Sequence, residues 1–189
     1  MKILLIETNS AGHAITLYLN ALIDKLRSNQ NDIIVLTAAE SKKKSTLDYL
    51  KKKKVKIIYL NKYYKINSTN PIAILFNEIK LYYLIKNKFK EMHDIDHVFL
   101  NSFNVIDKAI SILGTPFSNT KFSGIIPEKK FNYNYKKYSL LTLRNLIDKF
   151  LFNRLIKIKE LLAVFIPDPI FIKYSKKNIF NHHKLFVSS

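Results

Sequence analysis

Met1-Lys-Ile-Leu-Leu-Ile-Glu-Thr-Asn-Ser-Ala-Gly-His13 opens the chain, and this stretch decides the fold. Its apolar run predicts a short buried strand over residues 3–6, and the glycine before His13 predicts a turn into a helix. Apolar residues then recur with the helical period as far as Leu26, and Asp32-Ile-Ile-Val-Leu-Thr37 predicts a second strand. Strand, helix and strand in this order form the first βαβ unit of a parallel sheet.

Strand and helix signals alternate in the same way along the rest of the chain. Apolar runs predict strands over residues 55–60, 97–101, 121–126 and 161–166. The pattern also predicts a polar helix through Leu47 and Leu50, helices over 71–92 and 105–113, and a helix start at Asp168 and Pro169. We therefore predict the α/β class: a single Rossmann-like, doubly wound, mostly parallel sheet with helices on both faces. Residues 1–189 are expected to form one domain, because this length leaves no room for two complete lobes.

A long apolar stripe marks one further helix, which is predicted to run from after Ser139 to Ile158. Such a stripe is more often buried in a core than placed on a membrane, so we expect it to face the sheet. Its members are Leu140, Leu143, Leu146, Ile147, Phe150, Leu151, Leu155 and Ile158.

Small and polar residues stand where several strands are predicted to meet the following turn. Ligands of open parallel sheets bind at this edge, outside the carboxyl ends of the strands. The candidate residues there are Gly12, His13, Asn101, Ser102, Ser123 and Gly124. Two interpretations stay open: backbone N–H groups at a helix start suit a phosphate or a hydroxyl group, whereas turn formation and capping need no ligand.

Several segments of the chain resemble the start of the GT-B glycosyltransferases. They are Lys2-Ile-Leu-Leu-Ile6, Ala11-Gly-His13, the helix with Tyr18, Leu19 and Leu22, and the strand from Ile33 to Thr37. The likeness is to the bacterial family-4 type, whose first turn often reads Gly-Gly-His, and Ala11 departs from that pattern. It continues more loosely through Asp96-His-Val-Phe-Leu-Asn-Ser102, Ser123-Gly-Ile125 and Ile166-Pro-Asp-Pro-Ile-Phe171.

The resemblance implies the N-terminal, acceptor-binding half of a hexosyltransferase that acts in bacterial surface polysaccharide or lipid-linked glycan synthesis. In this family a second lobe holds the sugar nucleotide, commonly with two glutamates eight positions apart, and no two glutamates here have that spacing. We therefore expect no cofactor in this chain and a donor-binding lobe that is missing or supplied by a partner subunit. The candidate residues at the sheet edge would bind a glycan or a lipid-linked acceptor. No residue is assigned as catalytic, and this half alone is not expected to catalyse sugar transfer.

The formal net charge of +18 suggests an anionic partner. Only Arg27, Arg144 and Arg154 are arginines, the residue type favoured for reading bases and phosphates, and no nucleic-acid-binding motif is present. We therefore expect no nucleic acid as a partner and propose an anionic membrane surface instead, although a solvated helix face would also explain the same lysines. These lysines are Lys42, Lys43, Lys44, Lys51, Lys52, Lys53 and Lys54.

The expected location is cytoplasmic, peripheral on the inner face of the cell membrane. The chain has no cysteine, which is compatible with a reducing compartment. Its opening apolar run is shorter than the core of a signal peptide, and no apolar run approaches the length needed to span a bilayer.

His93-Asp-Ile-Asp-His97 is the one segment with metal-ligand character. Another class of glycosyltransferase uses Asp-x-Asp to hold a divalent metal, but that motif should follow an apolar strand. Here it precedes Val98-Phe-Leu100, so we interpret it as a charged turn and expect no metal site.

Two other functions stay open beside the glycosyltransferase half. One is a non-catalytic, Rossmann-like binding or interaction protein associated with an anionic membrane. The other, ranked last, is a nucleotide-binding enzyme complete in one domain, since the Gly-x-Gly-x-x-Gly fingerprint is missing and the chain has only 3 glycines.

Overall fold

One parallel sheet organises the computed structural model, which describes residues 1–8, 13–38, 50–60, 70–126, 140–169, 171, 173 and 182–187. Within these ranges the sheet has seven strands, in the order β3-β2-β1-β4-β5-β6-β7, and all neighbours pair in parallel. The strands are β1 (Lys2–Glu7), β2 (Asp32–Ala38), β3 (Lys56–Leu60), β4 (His97–Leu100), β5 (Lys121–Ile125), β6 (Leu161–Ile166) and β7 (Leu185–Val187). The predicted α/β, Rossmann-like class is confirmed.

Helices cover both faces of the sheet because successive strand residues point to opposite sides. On one face, α1 (His13–Ser28) buries Leu19 and Ile23 against Leu5 and Val35. On the other face lie α2 (Pro71–Lys90), α3 (Asp107–Leu113) and α4 (Leu140–Ile156), whose buried side chains join Leu4, Ile6 and Val98. We call α2, α3 and α4 the helix layer.

The seventh strand lies beyond the six that the sequence predicts. It is formed by Leu185–Val187, which pair with β6. The six predicted strands are confirmed, and Asp168 accepts a hydrogen bond from the Phe171 N–H at 3.1 Å, as expected of an N-cap. The polar helix through Leu47 lies largely outside the described residues, of which 50–52 are helical.

Helix α4 also departs from its prediction. Leu146, Ile147 and Phe150 of the expected core stripe are exposed, whereas the helix turns Asp148, Phe152, Leu155 and Ile156 inward. The apolar residues of α4 surround most of the helix, so periodicity alone does not say which side packs. Ring contact of Phe152 with Phe171, 5.6 Å between centroids, helps to fix the orientation of the helix.

Buried carboxylates hold the helix layer together. Glu78 of α2 accepts hydrogen bonds from the Lys108 and Ala109 N–H groups at 3.1 and 3.4 Å, which caps the start of α3. The Lys108 ammonium lies 3.5 Å from Asp148 of α4. Each of the three helices is thus tied to its neighbour through a carboxylate.

The Asp94–Asp96 segment is a turn at the amino edge of the sheet, as the sequence predicted. Asp96 accepts a hydrogen bond from the Lys2 N–H at 2.7 Å, and the Lys2 ammonium donates to the His93 carbonyl at 3.1 Å. The turn therefore ties the start of β1 to the start of β4, at the opposite end of the strands from the candidate ligand edge.

We expect Glu78→Ala to lower the free energy of unfolding by about 2 to 3 kcal/mol, because two backbone N–H groups at the start of α3 lose their acceptor. Urea denaturation followed by circular dichroism measures the loss. Glu91→Ala is the matched control, since this exposed glutamate closes the same helix and pairs with Lys88 at the surface. The control should cost less than about 1 kcal/mol, and equal losses would contradict the capping role.

Burial lowers the pKa of His97 below its ordinary value. The folded protein therefore resists protonating this side chain, and we expect stability to fall as the pH drops below about 6.5, where the unfolded chain takes up the proton. His97→Gln should remove this part of the decline, and His93→Gln, at an exposed position, should not. Denaturation midpoints at a series of pH values test the difference, and identical profiles for the two variants would refute it.

Candidate functional site

The site lies where the order of the strands reverses. From β1 the chain moves to β2 and β3 on one side, and from β4 it moves to β5, β6 and β7 on the other. The helices that follow β1 and β4, α1 and α3, therefore lie on opposite faces of the sheet. In open α/β sheets such a switch point forms a crevice outside the carboxyl ends of the strands, and ligands bind there.

Three buried polar side chains meet at the switch point. Glu7 ends β1, and Asn101 and Ser102 follow β4 directly. The Asn101 amide donates to one carboxylate oxygen of Glu7, and the Ser102 hydroxyl lies 3.0 and 3.2 Å from the two oxygens. We call Glu7, Asn101 and Ser102 the edge cluster.

The edge cluster extends the pairing of the two strands. The Asn101 N–H donates to the Ile6 carbonyl at 3.0 Å, which continues the parallel ladder one residue past β4. The side chain of Glu7 then falls on the same face as Ile3 and Leu5, the face that α1 covers. The Glu7 carboxylate is buried there but hydrogen-bonded, so it fixes the end of β1 relative to the residues that follow β4.

Other polar groups line the same edge on either side of the cluster. Thr37 of β2 is in register with Glu7 and is also buried. Helix α1 begins at His13, at the same edge, and its first turn contains no acidic residue. Asn104 follows in the loop after β4, and its side-chain oxygen is buried with no hydrogen-bond partner among the described residues.

Ser123 and Gly124 of β5 occupy opposite faces of the sheet. Ser123 is buried beside Phe99, its partner in register. Gly124 lies under Phe103: a Cβ atom there would come within 2.7 Å of the Phe103 ring and 2.9 Å of the Leu100 carbonyl. The glycine therefore lets the loop after β4 pack closely on the sheet, which holds the edge cluster in place.

The sequence predicted some members of this site and missed others. Asn101 and Ser102 are brought together as expected, whereas Glu7 was overlooked. Its signal was available, because a carboxylate that ends a buried apolar strand must find partners at the carboxyl edge. Gly12 lies outside the described residues, His13 is described only as the start of α1, and contact of any candidate with an acceptor stays a prediction.

Of the lysines proposed for a membrane, those that the structure describes lie away from this edge. Lys51–Lys54 precede β3 and so stand at the amino edge, where Lys53 pairs with Asp24 at 2.9 Å. Lys42, Lys43 and Lys44 lie outside the described residues. Their role at a membrane stays a prediction.

The site offers a carboxylate, a hydroxyl group and amide groups, and the Ser102 hydroxyl is in contact with the Glu7 carboxylate. Within the part of the chain that the structure describes, no three His, Cys, Asp or Glu side chains lie close enough together to hold a metal ion. The groups present are suited to hydrogen bonding of a polar ligand and to shaping the crevice.

Several solved structures share this fold, and two of them are described with UDP or UDP-GlcNAc bound. Arabidopsis thaliana UGT89C1 complexed with UDP is similar over 100% of this chain and 48% of its own, with 16% identity and a TM-score of 0.58. Neisseria meningitidis UDP-GlcNAc 2-epimerase bound to UDP-GlcNAc is similar over 100% and 46%, with 16% identity and a TM-score of 0.55. The glycosyltransferase of kitacinnamycin is similar over 97% and 50%, with 9% identity and a TM-score of 0.50.

The chain spans about half the length of these proteins. At such low identity the likeness shows the fold, and it supports the expected GT-B fold at the level of one lobe. The chain matches no protein-family model and no curated protein sequence. The family-4 assignment and a bacterial origin stay predictions.

We expect Glu7→Ala to destabilise the protein by about 1 to 3 kcal/mol, because the buried Asn101 amide and Ser102 hydroxyl lose a common acceptor. Ser102→Ala should cost about 1 kcal/mol. The double variant should cost less than the sum of the two single variants, because each single variant already loses the hydrogen bond between Ser102 and Glu7. The double-mutant cycle is measured by urea denaturation. Ser118→Ala, at an exposed serine, is the control, and additive losses in the cycle would contradict the cluster.

Proposed function

We propose that this chain is the acceptor-binding half of a GT-B glycosyltransferase of the family-4 type, acting in bacterial surface polysaccharide or lipid-linked glycan synthesis. The observation that carries the proposal is the edge cluster at the switch point between β1 and β4. In this fold the switch point is the place for a ligand, and here it is lined by hydrogen-bonding groups.

The edge cluster groups hydrogen-bonding side chains at the carboxyl edge, which suits the hydroxyl groups of an acceptor glycan. Such a glycan can also donate to side-chain oxygens such as that of Asn104. On this proposal Gly12, His13, Asn101, Ser102, Ser123 and Gly124 line or shape the acceptor side.

The sugar nucleotide belongs, on the same proposal, to a lobe that faces this edge. The similar solved structures are described with UDP or UDP-GlcNAc bound and are about twice as long. Residues 1–189 then act as one domain, and a donor-binding partner completes the enzyme. We place the assembled enzyme in the cytoplasm, peripheral on the inner face of the cell membrane. Among the described helices none is long and apolar enough to cross a bilayer.

Binding of soluble ligands tests the proposal. We expect the chain to bind sugars carried on short, water-soluble isoprenyl diphosphates, and not to bind UDP- or GDP-sugars, in calorimetric titrations. Asn104→Ala should weaken acceptor binding about five- to tenfold, the effect of losing one neutral hydrogen bond.

Asn119→Ala is the matched control, since this exposed asparagine lies in the turn before β5, at the amino edge. It should leave the affinity unchanged. Binding of sugar nucleotides by this chain without acceptor binding would overturn the proposal and favour an enzyme complete in one domain. Binding of neither class would favour a non-catalytic interaction protein.

A further inference from the structure

Three phenylalanine rings form a continuous row on one face of the sheet. They belong to Phe99 of β4, Phe165 of β6 and Phe186 of β7. Their strand neighbours, such as Val164, join the core under the helix layer, so the three rings lie on the opposite face, the one that α1 covers in part. The ring centres of Phe99 and Phe165 are 6.2 Å apart, and those of Phe165 and Phe186 are 5.7 Å apart. We call these three residues the aromatic row.

The rings of β4 and β6 reach each other across β5. Two strand spacings, about 10 Å, separate β4 from β6. Ring centres only 6.2 Å apart therefore mean that Phe99 and Phe165 lean toward one another. The residues in register with Phe99 on the next two strands are the small Ser123 and Ala163, and Ser123 is buried. These small side chains leave room for the rings to form one apolar surface.

The aromatic row lies on a part of the sheet that the described helices leave open. On this face α1 and Leu50 pack in the apolar cluster around Leu5 and Val35, which belong to β1 and β2. Helices α2, α3 and α4 pack on the opposite face. Phe186 is accordingly 46% exposed, and Phe99 and Phe165 are partly exposed.

The aromatic row is continuous with the candidate site. Asn101 follows Phe99 by two residues, so both side chains lie on the same face, about 7 Å apart along β4. The Asn101 amide donates to Glu7 on that face. On β5, the partly exposed Ile125 is in register with Phe165. Hydrogen-bonding groups at the carboxyl edge are therefore followed, across the sheet, by partly exposed apolar side chains as far as β7.

We propose that the aromatic row binds the hydrocarbon chain of an amphiphilic ligand whose polar end lies at the edge cluster. Ligand sites are mostly apolar, with a few polar groups that fix the orientation of the ligand. The chain would be a single isoprenyl or acyl chain, because such chains gain free energy when they leave water for an apolar surface. The inference deepens the proposed function, on which it rests for the polar end: the edge cluster takes the sugar of the acceptor, and the aromatic row takes its lipid.

The size of the aromatic row favours a single chain over a protein partner. A phenylalanine side chain has some 200 Å² of surface, so the exposed parts of the three rings add up to at most about 250 Å². A specific protein interface buries about 800 Å² on each partner. From β4 to β7 the row crosses three strand spacings, about 14 Å, which an extended farnesyl chain can span.

A single tryptophan tests the contact directly, since the chain has none. We expect the emission of Phe186→Trp to shift to the blue when farnesyl phosphate is added below its micelle-forming concentration. Geranyl phosphate, which is five carbons shorter, should bind at least about tenfold more weakly. The matched control is Phe76→Trp, at a phenylalanine of α2 that is 57% exposed, and its emission should not move. An unmoved Phe186→Trp emission, or an equal shift in the control, would overturn the proposal.

Calorimetric titration of farnesyl phosphate into the full chain gives a second test without a tryptophan. Phe186→Gln should weaken binding at least about fivefold, and Leu146→Gln, at an exposed leucine of α4, should bind as the wild type does. Circular dichroism checks that both variants are folded. Dodecyl phosphate separates the two kinds of chain: equal binding supports a row that takes any hydrocarbon chain, and weaker binding supports an isoprenyl chain. A Phe186→Trp emission that shifts with protein concentration alone would show self-association and contradict the proposal.

The probes carry no sugar, so this inference and the proposed function can fail separately. A chain that binds the soluble isoprenyl-diphosphate sugar, with Phe186→Trp unmoved by farnesyl phosphate, would overturn the role of the aromatic row and leave the acceptor site standing. A blue shift of Phe186→Trp in a chain that binds farnesyl phosphate and its sugar-bearing form equally would support the aromatic row and contradict a sugar site at the edge cluster.

Discussion

Pairing of β1 with β4 is the constraint on which the candidate site depends. It brings Glu7 within hydrogen-bond reach of a residue 94 positions later in the chain. Backbone hydrogen bonds fix the register, and the bond from the Asn101 N–H to the Ile6 carbonyl carries the ladder to the end of both strands. Because the backbone sets the register, the positions of the edge-cluster side chains are fixed by the strands and do not depend on the conformation of a loop.

Buried carboxylates give this lysine-rich chain its internal order. Glu7 joins two strand ends, and Glu78 and Asp148 join neighbouring helices. An unbonded charge is costly to bury, so each of these groups specifies the position of the donors around it. Burial of these carboxylates also withdraws three of the chain's acidic side chains from the surface.

The parts of the fold that could be predicted are those with a strong local pattern. Buried parallel strands are short apolar runs, and the six such runs in the sequence became β1 to β6. The three-residue β7 has no comparable run and depends on pairing with β6, so local pattern did not reveal it. The orientation of α4 was mispredicted for a related reason, because a helix with apolar residues nearly all round can pack on any side.

The site was predictable only in outline. Strand ends place Asn101 and Ser102 at the carboxyl edge, but their bonding to Glu7 requires the order of the strands, which the sequence pattern does not contain. Gly124 shows the same limit: its need for a small side chain comes from Phe103 and Leu100, which belong to another part of the sheet edge.

Backbone amide shifts in nuclear magnetic resonance, recorded as a soluble isoprenyl-diphosphate sugar is added, test the central claim most directly. The account predicts shifts grouped at the residues that follow β1, β4 and β5, with the Asp94–Asp96 turn and the residues before β3 unmoved. Shifts confined to the amino edge, or shifts at the carboxyl edge produced only by a sugar nucleotide, would contradict an acceptor site between β1 and β4.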